Sequence, residues 1–144
     1  MKNKQALVKV AEWLEAGAPH TTVHEHSIGK FDMELAIEGR GECGTACCIA
    51  GAIVQFENLV PAINGHSAAD FFAPYSVGNS HTEAGVGEIA ADHLGISTYD
   101  AKALFEPWTM FEYDAYEEFS DPYRAAQVVR NYLETGEVNW DAVP

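Results

Sequence analysis

The sequence predicts a mainly α domain, a compact bundle of five or six helices with a small β-hairpin near residues 21–37. Three observations lead there. Apolar residues recur at helical spacing in several stretches. Glycine and proline stand where those stretches should end. Alternation of period two occurs in one short segment only. The 144 residues suit a single domain spanning 1–144. A chain of this size buries roughly 68–70% of its unfolded surface, so it folds without disulfide staples.

The first helix is expected over 3–16, where Leu7, Val10, Ala11 and Leu14 define one apolar face and Gly17 and Pro19 stop it. Phe31, Met33, Leu35 and Ile37 alternate with Asp32, Glu34 and Ala36, the pattern of a half-buried strand. The segment "TTVHEH" at 21–26 is its expected hairpin partner. From Thr45 to Leu59 the chain is almost wholly apolar, which predicts a central buried helix with Thr45 as its N-cap. Residues 60–81 are irregular, with a short helix at 68–72 behind Ser67. A helix over 82–94 closes at Gly95, and Ser97 with Asp100 caps the next, which stops before Pro107. In the last helix Asp121 caps, Pro122 takes the first position, and Ala125, Val128, Val129, Tyr132 and Leu133 line one face up to Gly136. A tail then docks through Val138 and Trp140.

Charge narrows the function classes. The chain has 22 acidic and 8 basic residues, a formal net charge of −14, and no Lys or Arg between Gly41 and Ala101. Nucleic-acid binding relies on cations that displace counterions from phosphate, so direct nucleic-acid binding is not expected. Such acidity favours solubility and attracts basic partners. No apolar run approaches the roughly 20 residues of a membrane span. The N-terminus lacks the apolar core of a secretion signal, and three clustered cysteines do not form a disulfide framework. The expectation is a cytoplasmic protein with reduced thiols.

Several motifs bear a family likeness. "FDM" at 31–33, "CGTACCIAG" at 43–51, "LGIS…AKALFEP" within 94–107 and "ETGEVNW" at 134–140 resemble a family of small uncharacterised phage and proteobacterial proteins with a Cys-Gly-Thr-x-x-Cys-x-x-Gly core. The resemblance runs over most of the chain from Phe31 onward. It implies a phage or mobile-element setting and no defined activity. Relatives often carry a His soon after the core glycine, whereas this chain has Ala52 and Ile53.

All three cysteines, Cys43, Cys47 and Cys48, lie in that core. If a helix opens at Thr45, Cys43 faces its unpaired N–H groups and the positive end of its dipole, which lowers a thiol pKa. Cys43 is therefore the candidate nucleophile of a thiol enzyme, hydrolase or transferase, given a nearby His from among His20, His24, His26, His66, His81 and His93. The string Cys-Gly-Thr-x-Cys also resembles the nucleophile stretch of papain-like proteases, whose domains are usually longer. The competing reading is packing by small half-buried thiols. A tetrahedral metal set from Cys43, Cys47, His24 and His26 is a further alternative. It lacks Cys-x-x-Cys spacing, so neither a metal nor another cofactor is assigned.

Two other stretches need weighing. "EIAADHLGISTYDAKALF" at 88–105 has the outline of a helix-turn-helix, but its second helix offers Asp100 and only Lys102, so it reads as a helical hairpin used for packing. "FEPWTMFEYDAYEEFSDPY" at 105–123 interleaves carboxylates with aromatics. It is either a loop folded over the core or a binding surface formed by Trp108, Phe111, Tyr113, Tyr116, Glu117 and Glu118. The leading functional expectation is a non-enzymatic interaction protein that binds a basic host protein through that surface. The thiol enzyme, and a protein that sequesters a small ligand beside the Gly-rich helix, are the alternatives. Oligomeric state is not legible in the sequence.

Overall fold

The computed structural model describes residues 1–23, 26–31, 37–39, 45–59, 86–107 and 119–141. Among these the fold is mainly α, as the periodicity predicts. Helix α1 spans Lys4–Glu15, α2 Ile49–Phe56, α3 Val86–Leu94, α4 Thr98–Phe105 and α5 Pro122–Thr135. Four short strands accompany them: β1 Thr21–Val23, β2 His26–Phe31, β3 Ile37–Gly39 and β4 Thr45–Cys47.

The helix ends obey the chemistry of their capping residues. Asp121 accepts from the N–H groups of Tyr123 (2.9 Å) and Arg124 (3.4 Å) at the start of α5, where Pro122 needs no hydrogen bond. Ser97 accepts from the Asp100 N–H at 3.1 Å to open α4. Gly95 and Gly136 adopt φ of +68° and +80° after α3 and α5, conformations that cost a side-chain-bearing residue energy. The C-terminal end of α3 is also held by the first residues of the chain. Lys2 N–H donates to the Leu94 carbonyl at 2.7 Å, and Asn3 Nδ2 donates to the His93 carbonyl at 2.6 Å.

The strands enlarge the expected hairpin into a mixed sheet of order β1-β2-β4-β3. β1 and β2 pair antiparallel with Thr21 opposite Ile28 and Val23 opposite His26. The hairpin thus lies within 21–31, and the described partner of the first strand is 26–31; residues 32–36 of the predicted strand lie outside the described residues. β2 and β4 pair parallel, with Phe31 opposite Cys47, and β3 and β4 pair antiparallel. The predicted helix over 45–59 is therefore two elements. Thr45, Ala46 and Cys47 belong to a strand, and the helix begins at Ile49 with Cys48, not Thr45, at its N-cap. An apolar run that is buried on every side carries no periodicity to mark that change.

Helix α2 lies at the centre. Every residue from Ile49 to Gln55 is buried. α1 covers it with Leu7, Val10, Ala11 and Leu14, α3 with Val86, Ala90 and Leu94, and α4 contributes Ala101, Leu104 and Phe105 to the same cluster. Trp13 ties the layers together. Its ring stands edge-on to Phe31 of β2 (centroids 6.1 Å apart) and to Phe56 of α2 (5.9 Å), while its N–H donates to the Pro19 carbonyl at 2.8 Å. α5 packs its Ala125, Val128, Val129 and Tyr132 face into the core and makes its principal contact with α1.

The 88–105 outline is a packing unit in this fold: Ala90, Leu94, Ala101 and Leu104 all point into the core. The expected start of α3 at residues 82–85 and the short helix at 68–72 lie outside the described residues.

Candidate functional site

The cysteine junction between β4 and α2 is the place where sequence suggested chemistry. Cys47 is wholly buried and Cys48 is 5% exposed. Burial pushes the Cys47 thiol well up; the neighbouring Cys48 adds to this, and a hydrogen bond with Gln55 offsets part of it. Burial likewise raises Cys48, to about 11, with the Glu106 carboxylate contributing in the same direction. The N–H groups of Gly51 and Ala50 at the opening of α2 pull the other way, but they do not overcome desolvation. Both thiols stay protonated at neutral pH. They are weak nucleophiles, and their role is packing between the sheet and α2.

Around them lies a small buried polar group that sequence reasoning passed over. Gln55 is fully buried, and its Nε2 donates to the Gly51 carbonyl at 3.2 Å one turn earlier. Glu106, at the C-terminal end of α4, is 5% exposed. A lone glutamine inside "ACCIAGAIVQF" was the available signal, because buried amides need partners.

Cys43, the candidate nucleophile, lies outside the described residues. So do His24, His66 and His81. His93 is engaged elsewhere. Its Nε2 lies 3.1 Å from Glu57 Oε1, while Glu57 Oε2 takes Lys9 Nζ at 3.3 Å. This Lys9–Glu57–His93 group joins α1, the end of α2 and α3. Burial raises the Glu57 carboxyl, but the hydrogen bonds from His93 and Lys9, reinforced by Lys9's charge, win and hold it below its ordinary value.

The four-ligand metal alternative fails on strand geometry. Cys47 does not share a helix face with Cys43, because it belongs to β4. His26 opens β2, and Cys47 stands opposite Phe31 at its far end. Five residues of strand separate them by about 16 Å, beyond the reach of one ion. Among the described residues no three His, Cys, Asp or Glu side chains gather as a metal site.

The second candidate surface is described only at its margins. Trp108, Phe111, Tyr113, Tyr116, Glu117 and Glu118 lie outside the described residues. Phe105, Glu106 and Pro107 before them, and Phe119 after them, are buried. Phe119 packs edge-on against Trp140 with centroids 5.3 Å apart. Two aromatics of the interleaved stretch, Phe105 and Phe119, are thus core. A cleft of about 440 Å³ lies between the start of α4 and the C-terminal tail. Tyr99, Asp100, Glu137 and Asp141 line it, and Tyr99 is 69% exposed. Tyr132 Oη donates to Asp100 Oδ2 at 3.0 Å and fixes that carboxylate.

No protein-family model matches the sequence, and no curated protein or solved structure is similar to it. None of the helices among the described residues is long and apolar enough to cross a membrane.

Proposed function

We propose that this chain is a non-enzymatic interaction protein of the phage or mobile-element kind its motifs resemble. It acts in the cytoplasm and binds a basic host protein through the acidic and aromatic segment 105–123. The observation that carries this reading is the combination of a net charge of −14 with six aromatic and acidic candidates, Trp108, Phe111, Tyr113, Tyr116, Glu117 and Glu118, in one short stretch. Aromatics supply contact area at interfaces, and carboxylates steer and select a cationic partner. Among the described residues the exposed Tyr99 and the carboxylates of the cleft at the start of α4 offer the same kind of chemistry. Burial of Cys47 and Cys48 leaves the thiol-enzyme alternative resting on Cys43 alone.

Affinity capture from host lysate tests the proposal. The wild-type chain should retain basic proteins that a Tyr113→Ala/Tyr116→Ala variant and a Glu117→Lys/Glu118→Lys variant both lose. Equal capture by all three would place binding on another surface.

A further inference from the structure

We draw no further inference here: the strongest candidate, the cleft between the start of α4 and the C-terminal tail where Asp100, Glu137 and Asp141 gather beside the exposed Tyr99, is a cluster of surface carboxylates, and nothing among the described residues points to a ligand that would occupy it.

Discussion

Arg130 grips both carboxylate oxygens of Glu15 across the α1–α5 interface, Nη2 to Oε1 at 2.8 Å and Nε to Oε2 at 3.1 Å, between residues 115 positions apart. The geometry is bidentate, but the two side chains are 43% and 46% exposed and water screens them. Glu15→Gln should therefore cost only ~0.5 kcal/mol, and less in high salt. The Arg130 hydrogen bond, against slight desolvation and with help from its charge, holds the Glu15 carboxyl below its ordinary 4.5. A carboxyl whose folded pKa is lowered stabilises the fold above its unfolded pKa and loses that contribution as pH falls through the folded one. Urea midpoints of the wild type and Glu15→Gln should differ at neutral pH and converge in acid.

Glu57 should matter more, because its side chain is only 17% exposed and it meets both the Lys9 ammonium and the His93 imidazole. Glu57→Gln weakens its contacts with both Lys9 and His93, and the expected loss is about 1–2 kcal/mol. The sign with pH is the same as for Glu15. The Glu57 contribution is present above the ordinary carboxylate value and disappears as pH drops through its lowered folded value. Denaturant titration of Glu57→Gln beside Lys9→Met and the double variant would read the coupling directly; strict additivity would show that Lys9 contributes nothing through Glu57.

Thiol counting separates packing from chemistry. The chain contains three cysteines, and Cys47 and Cys48 are buried and protonated at neutral pH. Alkylation of the folded protein, followed by mass spectrometry of its peptides, should leave both unmodified, so that any label taken up is on Cys43. Denaturant should then release the other two. Rapid labelling of Cys43 well below its ordinary pKa would revive the thiol-enzyme alternative; labelling at the rate of an ordinary thiol would remove it.

Two glycines make a controlled comparison. Gly17 has φ +89°, and a Cβ there would lie 2.9 Å from the Tyr123 hydroxyl. Gly136 has φ +80° with open space around it. Gly136→Ala should cost about 1 kcal/mol from backbone strain alone. Gly17→Ala should cost only slightly more, because the crowded oxygen ends the exposed Tyr123 side chain, which can move aside, and Tyr123→Phe should recover that small excess. Thermal unfolding of the three single variants and the Gly17→Ala/Tyr123→Phe pair checks this.

The helices with polar ends were legible because capping is local chemistry. Ser97, Asp121, Pro122, Gly95 and Gly136 act within a few residues of themselves, and each does in the fold what its type implies. The docking of the tail through Val138 and Trp140 was also legible, as apolar residues after Gly136. The strand Thr45–Cys47 was not. Its hydrogen-bond partners come from β2 and β3, earlier in the chain, and neither its small residues nor a periodic pattern distinguishes it from the buried helix that follows. Strand β2 was obscured by His26, Ser27 and Lys30, whose polarity hides an edge toward the core that only Ile28 and Phe31 reveal. For the candidate site, residue type pointed to Cys43 and to the aromatic segment, but burial decided the fate of Cys47, Cys48 and Phe119, and burial is set by the packing of distant elements.

The pairing of the first helix with the last has a consequence for biosynthesis. Ala6, Leu7, Val10, Ala11 and Leu14 leave the ribosome well before α5, the principal neighbour of their helix, is made. Until α5 is made, the part of the α1 stripe that α5 covers stays bare even where α2 has docked, the kind of surface that aggregates or engages chaperones. Ribosome-bound chains ending before Pro122 should thus be the ones a hydrophobic holdase retains, and addition of residues 122–141 should release them.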